Sequence, residues 1–384
     1  MTGTAPVLPG VEDVLASGHR AGVAPAWDAV VLREGRVVHA SRGGASAGTR
    51  DLFDVASLTK PVVATVAALL VQEGRVGLDE PAARWLPRFS GGGRERVTVR
   101  QLLAHASGLP AWRPWYEGAM ADPVAGQAFL PPGERPRDLS EAFARGRRIV
   151  EEALWAEPLE AAPGTRALYG DPAFVALGFL LEAAGGETLD RLVAGRVTVP
   201  LGMRDTFFVD AGRLAVGLGP CAGHTFAPTE DCPHRREVNR GTVNDDNAWA
   251  MGGVAGHAGL FSSAADVAVL GREWLDALAG RGRLLDAGVA AEFARRDDRT
   301  PGSERALGWD TPSGESSSIG SLLGRGPLGA IGHLGYTGCS LWLDRDRGLA
   351  CALLTNHVHP GGRRPEAIRE LRRAFHDAVA EATT

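Results

Sequence analysis

The chain has 384 residues, enough for two or three domains or for one large fold carrying an insertion. Apolar residues make up 44% and charged residues 23%, which excludes collagen-like, coiled-coil and wholly disordered chains. The net charge is −5 with no basic block, arguing against a nucleic-acid surface, and four cysteines cannot build a dense disulfide framework.

In chain order, residues 11–20 read as a short helix. Ala29–Leu32 and Val37–His39 flank Glu34-Gly35 as a β-hairpin. From Ser57 to Glu73 apolar residues fall at Val62, Val63, Val66, Leu69 and Leu70, a helical spacing that stops at Gly74. Another helix begins at 97–103. Residues 110–138, rich in Pro, Gly and Trp, read as a long irregular loop. Helical patterns resume at 140–155, 172–184 and 187–198, and 212–247 reads as loop. A helix is expected over 264–279, paired strands over 340–343 and 349–355 around Asp346-Arg347-Gly348, and an amphipathic helix over 365–380. Strands cluster at the chain ends and helices in the middle. The expected architecture is α+β: a body of residues 1–80 and 250–384 with an antiparallel sheet flanked by helices, and a mostly helical inserted domain of residues 81–249. Nothing resembles a signal peptide between Met1 and Arg20, and no apolar run reaches the roughly 18 residues a membrane span needs, so a soluble, cytoplasmic chain with no membrane partner is expected.

One count stands apart. Of 41 basic residues, a single one is lysine, Lys60. Codon bias accounts for the arginines but not for the exception. Arginine keeps its proton in proteins, whereas lysine can lose it. Ser57-Leu58-Thr59-Lys60 opens the helix at 57–73, and positions i and i+3 share a face, so the hydroxyl and the amine are neighbours. The positive helix end and burial both favour a neutral amine there, and a neutral amine beside a serine is a nucleophile with its base. The alternative is an N-capping serine beside a solvated lysine.

Tyrosine is equally scarce, with Tyr116, Tyr169 and Tyr336 the only three. Phe53-Asp54-Val55-Ala56-Ser57-Leu58-Thr59-Lys60, Gln101–Leu109, Tyr169-Gly170-Asp171, Met251–Leu260 and His333-Leu334-Gly335 stand in an order that resembles the serine β-lactamase-like family, with its class C β-lactamases, D,D-peptidases and related carboxylesterases. The likeness runs from about residue 25 to 360. It implies a β-lactamase/transpeptidase-like fold, no cofactor and no metal. It implies Ser57 as acylated nucleophile, Lys60 and Tyr169 sharing general-base and general-acid work, and the backbone N–H groups of Ser57 and Tyr336 as oxyanion hole. Asp171, His333, Gly335, Trp112 and His257 are the expected substrate-binding residues. Trp112, Trp115 and Tyr116 would form an apolar wall, or fold onto the helical domain.

Two positions depart from the penicillin-recognising pattern. Asp171 stands where an asparagine would donate to a substrate carbonyl, and close to Lys60 it would raise the lysine pKa. His333 stands where a lysine would meet a substrate carboxylate, although a nearby arginine could restore that charge. Both departures leave ester cleavage untouched. The expected function is therefore hydrolysis of small-molecule esters through an acyl-enzyme. β-Lactamase or D,D-peptidase action on an amide, or a non-catalytic binding protein on the same fold, are the alternatives.

Other patterns read as structural. Gly44-Ala45-Ser46-Ala47-Gly48 matches G-x-S-x-G but lacks a following helix. Cys221, His224, Cys232 and His234 offer zinc-type ligands in a spacing that matches no strong site, and are read as loop residues. His105 is expected to hold its turn by hydrogen bonding.

Overall fold

The structure is a computed structural model and describes residues 6–212, 223–314, 317–362 and 364–384. Its main sheet has five antiparallel strands: β1 (Ala26–Arg33), β2 (Arg36–Gly44), β8 (Ala330–Leu334), β9 (Ser340–Asp344) and β10 (Leu349–Thr355), ordered β2-β1-β10-β9-β8. The expected hairpin and the expected C-terminal strand pair thus meet in one sheet, with Val30 opposite Ala352 and Cys351 opposite Trp342. β8 was not expected as a strand. Its sequence, Ala-Ile-Gly-His-Leu, has no clear alternation, yet pairing to β9 satisfies its backbone.

Both faces of the sheet are covered, which explains the unbroken apolar run of β10. Ala350, Ala352 and Leu354 face the larger core, against the helix Ala264–Leu278. Leu349, Cys351 and Leu353 face a second core under the terminal helices Pro9–Arg20 and Pro365–Ala382, which pack on each other.

Three short strands, β3 (Phe53–Asp54), β4 (Phe207–Phe208) and β7 (Leu260–Ser262), form a second sheet ordered β3-β7-β4. It brings residue 54 beside residue 261, although 206 residues of chain intervene. A hairpin of β5 (Asp231–Cys232) and β6 (Glu237–Val238) lies within the segment read as loop. Within the expected loop at 110–138, Tyr116–Ala121 and Ala125–Phe129 are short helices. The helix expected over 187–198 is split into Leu189–Val193, a π turn at Ala194–Thr198 and Val199–Leu201. A helix at Ala287–Ala294 has no counterpart in the sequence reading.

Two helices position the site. Thr59–Gln72 is buried from Thr59 to Leu70, which makes it a core helix rather than a half-exposed one. Asp171–Gly185 is equally apolar and starts with Asp171 followed by Pro172 at its first turn. Among the described residues no single helix is long and apolar enough to cross a membrane.

Candidate active site

The nucleophile candidate sits on a strained turn. Ala56, just before Ser57, has φ +48°, a left-handed conformation that a non-glycine residue adopts only when its surroundings hold it. Asp54 does so. Its carboxylate accepts from Ala56 N–H at 2.8 Å and from Asn244 N–H at 2.6 Å, while Thr337 Oγ1 donates to its carbonyl at 2.7 Å. Burial pushes the Asp54 carboxyl up to about 6, against the pull of those two N–H donors.

From that turn a 3₁₀ turn at Ala56–Leu58 runs into the long helix and aims Lys60 back at Ser57. Lys60 is fully buried and its Nζ donates three hydrogen bonds: to Ser57 Oγ at 2.9 Å, Tyr169 Oη at 2.9 Å and Asp171 Oδ1 at 2.7 Å. An ammonium carries three N–H donors, and all three are used. Burial works against the charge, but the Asp171 carboxylate and Tyr169 outweigh it and raise the Lys60 pKa above its ordinary value. The expectation of a neutral amine is corrected here. The helix-end argument loses to a carboxylate in direct contact.

Tyr169 is fixed from several sides. His105 lies 4.6 Å from its ring centroid and accepts from Gly170 N–H at 3.2 Å, so this histidine holds the segment as expected. Burial first, then Arg305 and Lys60, keep His105 neutral. The Cζ of Arg305 lies 4.9 Å from the Tyr169 centroid, and Arg305 pairs with Asp310. Sequence reading offered no signal for this particular arginine among 40.

His333, on β8, is 2% exposed and 5.8 Å from Tyr169, ring to ring. Its Nδ1 lies 2.9 Å from Leu334 O, so Nδ1 carries the proton and donates. Burial, followed by Lys60 and Arg305, holds its pKa well below 6.5. His333 is therefore a neutral imidazole where the family's pattern has a lysine.

Ser57, Trp112, Tyr169, Asp171, His257, His333, Gly335 and Tyr336 all line one cavity of about 680 Å³. The turn bearing Gly335 and Tyr336 is braced by Arg372, whose Nη2 donates to Gly335 O and Cys339 O at 2.8 Å each. Tyr116 also lines the cavity, whereas Trp115 is buried and donates to Glu157 at 3.3 Å. His257 donates from Nε2 to Asp245 Oδ1 at 2.9 Å. The lining also includes Glu230, Asp245 and Asp246, which the sequence pattern does not single out because only the chain's path collects them. Burial raises the pKa of Glu230 and of Asp246.

Asp171, Asp245 and His257 bring potential ligating atoms within 4.8 Å of one another, but the Lys60 ammonium already occupies Asp171. Of the C/H quartet, Cys221 lies outside the described residues. Cys232 is buried against Arg235, His224 lies 3.6 Å from Asp205 and His234 lies 3.3 Å from Tyr116 Oη. Ser46 is buried in a loop and donates to Asp51 at 3.0 Å, with no helix behind it.

A serine–lysine–tyrosine cluster beside an antiparallel sheet covered by helices on both faces defines a serine hydrolase of the β-lactamase fold. The chain belongs to the beta-lactamase family, whose model matches residues 11–375. A Salmonella agona (strain SL483) protein, provisionally named a D-alanyl-D-alanine carboxypeptidase, is 31% identical over 333 residues, covering 82% of this chain and 71% of that one. Among solved structures, EstCE1, a hydrolase with promiscuous acyltransferase activity, is 21% identical with TM-score 0.64, covering 96% of this chain and 98% of its own. A D-stereospecific amidohydrolase from Streptomyces sp. is 23% identical with TM-score 0.62, covering 91% and 94%.

Proposed function

We propose that this serine hydrolase cleaves carboxylic esters through an acyl-enzyme on Ser57. The observation that carries the reading is the single lysine donating at once to Ser57 Oγ, Tyr169 Oη and Asp171 Oδ1. With Tyr169 as phenolate, Ser57 Oγ attacks the ester carbonyl carbon while the Lys60 ammonium hands one N–H proton to Tyr169 Oη and takes the Ser57 proton in its place. The departing alkoxide takes that proton as the C–O bond breaks. The backbone N–H groups of Ser57 and Tyr336 receive the negative charge on the carbonyl oxygen. Water then attacks the acyl carbon, gives a proton to the same pair, and Ser57 leaves with it restored.

The ester preference rests on two departures at the cavity wall. An ionised Asp171 cannot donate to a substrate amide carbonyl, and His333 is a buried neutral imidazole rather than a fixed cation. A second reading, D-alanyl carboxypeptidase or β-lactamase action, is supported by the Salmonella relative's name and by the Arg305 cation in the same cavity. A hydrolysis panel decides between them: p-nitrophenyl acyl esters, a chromogenic cephalosporin and a D-Ala-D-Ala peptide, with the trapped acyl group located by mass spectrometry. Higher kcat/KM on short-chain esters at pH 7.5, with the mass on Ser57, is the expected result. A higher kcat/KM for the cephalosporin or peptide than for every ester would overturn the ester reading.

A further inference from the structure

We propose that Arg305 is a positioning residue for Tyr169: its guanidinium, over the phenol ring, fixes the ring against Lys60 and stabilises the charge Tyr169 carries when it has given up its proton. The proposal rests on the reading of Tyr169 as the proton partner of Ser57 and Lys60.

Geometry makes the case. Two cations lie at nearly equal range from one ring, Lys60 Nζ at 4.8 Å and Arg305 Cζ at 4.9 Å from the Tyr169 centroid. Lys60 has a carboxylate, Asp171, at 2.7 Å, closer than the 2.9 Å to the tyrosine oxygen, and Arg305 is paired with Asp310. Each cation therefore shares its field with an acid, and for Lys60 that acid stands where the family's pattern has an amide. A phenolate beside two such pairs draws on both cations. Arg305 supplies the second, and arginine keeps its charge at any working pH.

Arg305 is also held in place. It pairs with Asp310 across an isolated bridge, and Asp310 bridges in turn to Gly332 on β8, the strand that carries His333. Asp310 accepts from one nitrogen, Nη1, and the guanidinium carbon lies over the ring. The side chain is 26% exposed and lines the cavity, so small solutes can reach it.

The test uses the full chain with Arg305→Gln and Arg305→Lys, assayed on p-nitrophenyl butyrate and on the mono-p-nitrophenyl ester of glutarate from pH 5 to 9. Arg305→Gln should lower kcat on both esters by about 10- to 100-fold with KM within about twofold. It should also move the acidic limb of the pH profile to higher pH by about one unit, because loss of a cation disfavours the deprotonated ring. Arg305→Lys should recover part of the loss, and added guanidinium should rescue Arg305→Gln. A loss confined to the glutarate ester and expressed in KM would overturn the proposal, making Arg305 a reader of substrate carboxylate. An equal loss on both esters with an unmoved limb and no rescue would overturn it as well. If the wild type hydrolyses neither ester, the ester reading fails separately. The rate at which a fluorophosphonate labels Ser57 then replaces turnover, and a limb that Arg305→Gln leaves in place sinks the proposal.

Discussion

Two groups of residues lining the cavity handle charge differently. Around Lys60 every charged group has a close partner: Lys60 with Asp171, and Arg305 with Asp310. In the segment 230–246, carboxylates outnumber the cations. Arg235 is shared with Asp246, Glu230 accepts from Asn244 Nδ2 at 3.1 Å, and burial raises the pKa of both acids. Chemistry that moves a proton needs the first arrangement, since a paired relay keeps its geometry through each transfer. The second leaves a group whose charge follows pH.

Five predictions sharpen or break that contrast. The largest concerns the paired group. Ser57→Ala should remove hydrolysis, a loss of about 10⁴-fold or more in kcat, and Lys60→Arg should be nearly as damaging although it keeps the charge. Activity in Ser57→Ala together with inactivity in Ser46→Ala would overturn the assignment of the nucleophile.

Packing comes next. His257 depends on Gly256, where an added Cβ would lie 2.0 Å from Phe174 O in the helix that begins at Asp171. Gly256→Ala should cost about 2–4 kcal/mol of stability, read by denaturant unfolding, because backbone must move on one side or the other. An unchanged midpoint would show that the loop bearing His257 is not seated on that helix.

Asp54 gives a pH test. Its carboxyl is raised from 3.8 to about 6 in the folded chain, so the folded state binds more protons than the unfolded state between those values. Its contribution to stability is complete below about pH 3.8 and is lost as pH rises through about 6. The difference amounts to at most about 3 kcal/mol. Asp54→Asn, compared with the wild type by urea unfolding at pH 4.5 and 7.5, should lose that pH-dependent part. Parallel pH curves for the two proteins would contradict it.

Smaller effects are expected at the rim. Trp112 is 48% exposed, so Trp112→Ala should raise KM for a bulky aryl ester by a few-fold while leaving kcat near the wild-type value. A matching fall in kcat would place Trp112 nearer the reacting atoms. At His333, ¹⁵N spectra at pH 6 should show a neutral ring protonated at Nδ1, and charging at that pH would contradict the burial argument.

Much of this was legible in the sequence for definite reasons. Periodicity located the helix that carries Lys60, since a buried helix keeps its apolar residues at regular spacing. Alternation and Glu34-Gly35 located the first hairpin. The scarcity of lysine and tyrosine singled out Lys60 and Tyr169 without any geometry. β8 escaped because its short, non-alternating stretch becomes a strand only by pairing with β9. The helix expected over 187–198 is interrupted because a π turn at Ala194–Thr198 adds a residue to one turn, a local shift that residue types do not announce.

The sequence by itself determined which side chains are chemically unusual: one lysine three residues after a serine, one aspartate where an amide is expected, one histidine where a lysine is expected. Their protonation was decided only by the tertiary structure. Lys60 became an ammonium because residue 171 arrives at 2.7 Å from a helix 111 positions away. His333 became a neutral imidazole because β8 buries it beside Lys60 and Arg305. Arg305 itself was one arginine among 40 until the fold placed it over Tyr169. Charge states follow from distance and burial, and neither exists until the chain has folded.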